Sequence, residues 1–237
     1  MKTLKKTSEK VEFIAEIEEE LANAIRRSVN EIEILAVDEL EIHKNDSVLY
    51  DEIIAHRIGL VPLKKDTIKT KDVKLKLVEK GPKIVYSGDL KGGAKVVYDK
   101  IPITKLEDGQ EIEFIASAIL GKGIEHVKYS PGLFYYRNVA DIKIKDSGCN
   151  ICAEVCPKNV FETKDGKVFV KNLENCDLCE MCVDECEKQG KECVEINKGK
   201  ELMISIESFG MIDATKILEE SVKVLNQNLG EIKKSLK

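Results

Sequence analysis

No cysteine occurs in the first 148 residues of this 237-residue chain. Metal–thiolate and disulfide chemistry are therefore excluded from more than half of it. Long apolar runs are missing too: nothing approaches the ~20 residues that span a bilayer as a helix. The first residues, Met1-Lys2-Thr3-Leu4-Lys5-Lys6, lack the apolar stretch of a signal peptide. The expectation is a cytosolic protein, where thiols stay reduced and clustered cysteines hold metal more often than they form disulfides. Positive charge is not in excess: 38 Lys and Arg face 43 Asp and Glu, a net charge of −5. That balance argues against wholesale nucleic-acid binding, and Lys64-Lys65 and Lys233-Lys234 are expected to be solvated surface.

Catalytic signatures are absent as well. There is no phosphate-cradling glycine loop, no GxGxxG, no serine elbow and no HExxH. The three histidines, His43, His56 and His126, have no acidic or thiol companions at ligand spacing. They are expected to be structural hydrogen-bonding residues. Arg26-Arg27 could contact a phosphate, but a tertiary salt bridge is the simpler expectation. With 43% hydrophobic and 34% charged residues, the chain is expected to fold into one to three compact units.

What the chain does have is a cysteine cluster: all eight cysteines fall between Cys149 and Cys193. Cys176, Cys179, Cys182 and Cys186 read C-x2-C-x2-C-x3-C, the run that wraps iron–sulfur cubanes in bacterial-type ferredoxins. Cys149, Cys152 and Cys156 read C-x2-C-x3-C, followed by Pro157. The full pattern would place another cysteine at position 146, where this chain has Asp146. In two-cluster ferredoxins the last cysteine of each run ligates the other cluster. On that pattern Cys156, Cys176, Cys179 and Cys182 make one complete [4Fe–4S] site. Cys149, Cys152 and Cys186 make a second, incomplete one. Three readings of it stand: a [3Fe–4S] cluster, a [4Fe–4S] cluster with Asp146 or Cys193 as fourth ligand, or a lost site.

Zinc is the structural alternative. A ribbon would pair Cys149 and Cys152 with Cys176 and Cys179, but the intervening 23 residues exceed the usual spacing and four cysteines would be idle. A disulfide involving Cys193 is disfavoured in a reducing compartment. Ten acidic residues against six lysines between Cys149 and Cys193 would repel a phosphate backbone. A cluster here could relay electrons, or it could cross-link a segment with little core of its own, making metal binding a folding energy.

Around the cysteines the pattern is α+β. Val11, Phe13 and Ala15 alternate as in a half-buried strand, and Leu21, Ile25 and Val29 follow at helical steps ending at Asn30. An extended segment is expected from Ile32 to Ile42, then a short helix to Ile58 with Asp51 as N-cap, Gly59 as a left-handed stop and Pro62 beyond it. Strands are expected at Val73, Leu75 and Leu77, from Lys83 to Tyr86, from Ala94 to Tyr98, and at Ile112, Phe114, Ala116 and Ala118. Asp165-Gly166 predicts a two-residue hairpin inside the cysteine region. Leu202, Ile204 and Ile206 predict another strand. Leu218, Val222, Leu225, Leu229, Ile232 and Leu236 form an a/d seam on a closing helix, which Gly230 weakens by roughly 1 kcal/mol. That seam packs either on its own domain or on a partner chain.

Several stretches resemble a known family. Asn23-Ala24-Ile25-Arg26-Arg27 and Asp51-Glu52-Ile53-Ile54-Ala55-His56-Arg57-Ile58-Gly59-Leu60-Val61-Pro62-Leu63 resemble the D subunit of archaeal DNA-directed RNA polymerase, a relative of the bacterial α subunit's N-terminal domain. Gly121-Lys122-Gly123-Ile124-Glu125-His126 with Tyr129-Ser130-Pro131, and Glu207-Ser208-Phe209-Gly210, are similar to that family's later signatures. The resemblance implies a discontinuous dimerisation domain (1–42 and 202–237), a mostly β insertion domain (43–145 and 196–201) and a ferredoxin-like module (146–195). It implies a heterodimer with the small L subunit through Ile25, Leu218, Val222, Leu225, Leu229 and Ile232. The large subunits would assemble on that heterodimer and supply the catalytic carboxylates. The rival reading is a ferredoxin-like electron-transfer subunit of an oxidoreductase. Against it stand Asp146 and the lack of any flavin or nicotinamide motif.

Overall fold

A computed structural model describes residues 2–64 and 72–236. In chain order its elements are strand β1 (Lys2–Lys6), β2 (Lys10–Ala15), helix α1 (Glu19–Val29), β3 (Glu33–Asn45), α2 (Asp51–Gly59), β4 (Asp72–Lys80) and β5 (Lys83–Tyr86). Strands β6 (Lys91–Gly92), β7 (Pro102–Leu106), β8 (Glu111–Lys122) and β9 (Gly132–Ile144) come next. Helix α3 (Ile151–Val155), strands β10 (Phe161–Lys164) and β11 (Lys167–Val170), and helix α4 (Met181–Lys188) form the cysteine region. Strand β12 (Val194–Ser208) and helix α5 (Ala214–Ser235) close the chain, which is α+β as expected.

Two compact units divide it. The first holds Met1–Lys5, Glu12–Ala22 and Tyr135–Ser205; the second holds Lys6–Val11, Asn23–Phe134 and Ile206–Lys237. A four-stranded sheet of order β1–β2–β12–β9 has strands that contribute residues to both units.

The second unit is organised on a sheet of order β3–β8–β4–β6. Its antiparallel ladders set Val37 opposite Ala118, Ile42 opposite Phe114 and Leu77 opposite Phe114. On β8, Ile112, Phe114, Ala116 and Ala118 are fully buried, so the period-two pattern reads out as one apolar face. Helix α2 adds Ile54 and Ile58 to the same core, and β7 adds Ile103 and Leu106. Arg57 ties the two together by donating from Nη1 to the Ile103 carbonyl at 2.8 Å. Register shifts place one extra residue, Asp38, between the pairs made by Val37 and Glu39. That is a β-bulge, which re-aims a side chain. Gly121 on β8 is where the ring of Tyr129 rests; a Cβ there would stand 2.5 Å from the ring's Cζ.

Several expectations change. Asp51 is not the N-cap of α2: Tyr50 holds that position without a side-chain cap bond, and Asp51 is the first helical residue. There its carboxylate accepts from Asn45 Nδ2 at 2.8 Å. Gly59 is not left-handed; the helix runs into Leu60 at φ −91°, whose N–H donates to His56 and Arg57, and Pro62 follows. Ala94 to Tyr98 is not a strand. Val96 makes a single bridge to Leu63, and Ala94 is buried from a loop. The hairpin is as expected: Asp165 and Gly166 take φ of 50° and 71°, and Lys164 pairs with Lys167. Of the basic pair at positions 64 and 65, Lys64 is exposed and Lys65 lies outside the described residues.

Candidate metal centre and docking face

The cysteine region belongs to the first unit, and cysteines take up a large share of its fully buried positions. Val160, Phe161, Val168 and Val194 pack with Cys152, Cys176 and Cys182 as one buried cluster, with Cys156 at its edge. Cys149, Cys186 and Cys193 form a second cluster with Ile151. Sulfur thus replaces much of the carbon that would fill an ordinary core.

Local geometry presents the thiols. Cys152 lies within α3 and Cys156 is its C-cap. Cys182 and Cys186 sit one turn apart on α4 and are both buried, as i,i+4 spacing on one helix face requires. Between Cys176 and Cys182, Leu178 and Glu180 take left-handed φ of 60° and 58°, which coils the loop around the exposed Cys179. Backbone N–H groups already point at sulfur: those of Leu178 at Cys176, of Cys182 at its own sulfur, and of Cys152 and Ala153 at Cys152. Burial pushes the Cys182 thiol up to about 12, and nearby Cys156, Cys152 and Cys176 add to it. Burial likewise raises Cys176, helped by Asp177, Cys156 and Cys179. Cys156, Cys176 and Cys182 share one buried cluster, with Cys179 exposed beside it, but among the described residues the three sulfurs that lie within 4.8 Å of one another are those of Cys149, Cys186 and Cys193. Buried thiols among other sulfurs ionise only when a cation compensates them, and the donor set fits a thiolate-bound metal.

The second group differs from expectation. Cys149 and Cys193 are joined as a disulfide across 44 residues, with Cα atoms 5.9 Å apart. The pairing arises because the Cys193 carbonyl accepts from the N–H groups of Lys145 and Asp146, which brings the start of β12 beside the loop that carries Cys149. Cys186 stands with them; the three buried sulfurs lie within 4.8 Å of one another, a grouping that can hold a metal ion once the pair is reduced. Cys152 is fully buried next to them, its Sγ 3.7 Å from the Cys149 carbonyl. Arg137 on β9, which no motif singled out, donates from its guanidinium to the carbonyls of Cys176 and Glu174 and so fixes the entry to the ligand loop.

The remaining candidate residues lie in the second unit. His126 Nδ1 accepts from the Lys128 N–H at 3.1 Å, a structural role. His56 lines a pocket with Asp38 and His126, and His43 is exposed. Arg26 donates to Asn23 on its own helix at 2.9 Å, so its contact is local. On α5 the buried residues are Ala214, Ile217 and Ser221. The expected seam lies off that stripe: Val222, Leu229 and Ile232 are 37%, 55% and 56% exposed, while Leu218 and Leu225 are half-buried. On α1, Ala22, Ser28 and Val29 are buried, Ile25 is half-buried and Leu21 is exposed. Among the described residues no helix is long and apolar enough to cross a membrane.

Comparison with known proteins covers the same elements. Residues 32–134 match the family described as the RNA polymerase Rpb3/RpoA insert domain. DNA-directed RNA polymerase subunit Rpo3 of Pyrococcus horikoshii is 36% identical over 95% of this chain and 93% of its own length. The subunit Rpo3 of Archaeoglobus fulgidus is 31% identical over 90% and 88%, respectively. That of Methanothermobacter thermautotrophicus is 34% identical over 89% and 88%. At such identity over nearly the whole of both chains, this protein belongs to the archaeal DNA-directed RNA polymerase subunit Rpo3 family.

Proposed function

We propose that this chain is a non-catalytic assembly subunit of a cytoplasmic DNA-directed RNA polymerase, pairing with the small L subunit to form the platform on which the large subunits assemble. The observation that carries this reading is the apolar seam that α5 leaves open. Leu229 and Ile232 are more than half exposed on a helix whose inward stripe is already filled by Ala214, Ile217 and Ser221. Exposed leucine and isoleucine repeating at a/d spacing are what a partner helix buries. Leu218, Val222, Leu225 and, from α1, Ile25 would extend that face. Residues 1–42 with 202–237 would serve as the dimerisation domain, 43–145 with 196–201 as the insertion domain, and 146–195 as the iron–sulfur module.

In the module, Cys156, Cys176, Cys179 and Cys182 would hold a [4Fe–4S] cluster, and Cys149, Cys152 and Cys186 would contribute to a second, [3Fe–4S] or [4Fe–4S]. A cluster held by these residues would cross-link α3, the coiled loop and α4, in a structural or redox-sensing role. The chain's own residues position it: Arg137 anchors the loop, and the N–H groups of Leu178 and Ala153 stabilise thiolate charge. The electron-carrier reading loses ground because the RNA polymerase subunits match over nearly the whole chain rather than over the cysteine region alone.

Anaerobic co-expression with the small subunit tests the platform. The wild-type chain is expected to co-elute with it as a one-to-one complex. Leu229→Asp with Ile232→Asp is expected to abolish co-elution, a weakening of at least about thirtyfold, because these side chains would anchor the contact. The lone chain's stability should change by no more than about 0.5 kcal/mol, since both sites are exposed. A wild-type chain that stays alone, or a double variant that still pairs, would sink the proposal.

A further inference from the structure

The geometry points to Cys193 as the fourth ligand of the second sulfur site, completing a four-thiolate set of Cys149, Cys152, Cys186 and Cys193 in which Asp146 takes no part. This rests on the iron–sulfur reading above and removes the gap that the ferredoxin pattern leaves at position 146.

Positions 146 and 193 are far apart in sequence but adjacent in the fold. The N–H groups of Lys145 and Asp146 both donate to the Cys193 carbonyl, at 2.9 and 3.2 Å. Cys193 therefore delivers a sulfur beside the place where the regular pattern would have one. Its Sγ lies within 4.8 Å of those of Cys149 and Cys186, and all three are buried. Cys152 is fully buried and lies outside that group of three; its Sγ donates to the Cys149 carbonyl at 3.7 Å, and it is close enough for Cys186 to act on its thiol. Asp146 is exposed, and its Oδ1 is engaged by the Gly148 N–H at 2.9 Å. A soft thiolate suits iron in a cubane better than a hard carboxylate already bound to backbone.

The Cys149–Cys193 disulfide belongs to the same assignment. Both sulfurs cannot ligate while bonded to each other. A dithiol reductant opens the bond by supplying two electrons and two protons, giving two thiols while it closes to its own disulfide. Ligation then releases the thiol protons. The cross-link and the loaded site are thus alternative states of one pair of sulfurs.

The test is anaerobic reconstitution of the full chain with ferrous iron and sulfide under a dithiol reductant. Iron is counted and cluster type is read by electron paramagnetic resonance. The wild type is expected to hold iron for two cubanes, about eight atoms. Cys193→Ser is expected to lose the fourth iron of the second site or the whole site, with a three-iron signal in the first case. Asp146→Ala is expected to keep the full count. Asp146→Cys in the Cys193→Ser background restores the regular pattern and is expected to recover the lost iron. That rescue separates ligation from a purely structural role of Cys193. Full iron in Cys193→Ser, iron loss in Asp146→Ala, or loss without rescue would each overturn the assignment. A wild type with iron for fewer than two cubanes would overturn it too while leaving the first site standing. A wild type with no iron at all would overturn the iron–sulfur reading itself. Peptide mapping should find the Cys149–Cys193 cross-link in air-exposed, iron-free protein and lose it in loaded protein; its persistence at full iron count would also refute the assignment.

Discussion

Two regions of this chain solve the folding problem with different materials. The sheet of β3, β8, β4 and β6 closes over hydrocarbon: Leu35, Ile54, Ile58, Leu75, Leu77, Ile112 and Phe114 are each no more than 1% exposed. Each fully buried side chain of that kind is worth about 1.5–3 kcal/mol, so this core is held by many small terms. The cysteine region has short elements and a buried cluster in which cysteines stand beside Val160, Phe161, Val168 and Val194. On the proposed reading its stability would concentrate in a few thiolate–metal bonds. The difference teaches that one chain can spread its stability over dozens of contacts in one place and stake it on a handful of atoms in another.

The largest effect should come from removing those atoms. Chelating iron from the anaerobic protein is expected to unfold the module, because structural metal sites in small domains contribute on the order of 10 kcal/mol. Hydrogen exchange is the measurement. Amides of β10 and β11 should lose their protection, while those of β8 keep theirs. Protection retained in β10 and β11 after complete chelation would mean that the local apolar cluster suffices, and the contrast between the regions would collapse.

The reverse perturbation is smaller. Phe114→Ala empties a fully buried site opposite Ile42 and Leu77, and should cost about 3–5 kcal/mol in denaturant unfolding of the second unit. Iron content should not change, since no cysteine belongs to that core. Iron loss accompanying Phe114→Ala would show that the two regions fold as one.

The same contrast explains what was legible in the sequence. Strands with one buried face announce themselves by alternation, so β2, β4 and β8 were readable from Val11 and Phe13, Val73 and Leu75, Ile112 and Phe114. Strand β1 was not, because Lys2, Lys5 and Lys6 are exposed and carry no such pattern. The run from Ala94 to Tyr98 misled in the other direction: burial of Ala94 needs an apolar side chain but no ladder. The seam on α5 was visible as spacing, but only the position of Ala214, Ile217 and Ser221 says which stripe the chain keeps for itself. Cysteine spacing proposes the set Cys156, Cys176, Cys179 and Cys182, but it does not foresee the grouping of Cys149, Cys186 and Cys193. Cys193 could be raised only as one of two candidates beside Asp146, and Arg137 not at all, because what places them is contact between residues dozens of positions apart.

The smallest effect tests the core through its charge. Asp38, placed by the bulge in β3, accepts from Lys128 Nζ at 2.7 Å and from the Tyr129 hydroxyl at 3.2 Å. The Lys128 hydrogen bond holds its carboxyl below the usual range, with the Lys128 charge and the Tyr129 hydrogen bond adding to it against the opposing pull of burial. A carboxylate with a depressed folded pKa contributes stability above its unfolded pKa and loses it as pH falls through the folded one. Asp38→Asn should therefore destabilise the second unit at neutral pH. The wild-type advantage should fade below about pH 4 as both states protonate. Because the Asp38 side chain is 39% exposed, water screens the pair, and the difference should be about 0.5 kcal/mol or less. Acid would act on a metal-loaded module through another route, since protonating ligand thiolates releases a bound metal. Denaturation curves for wild type and Asp38→Asn, taken from neutral to acid pH, should thus converge in the core. Iron should leave wild type and variant at the same pH. Curves that stay apart at low pH would assign the Asp38 effect to packing, not charge.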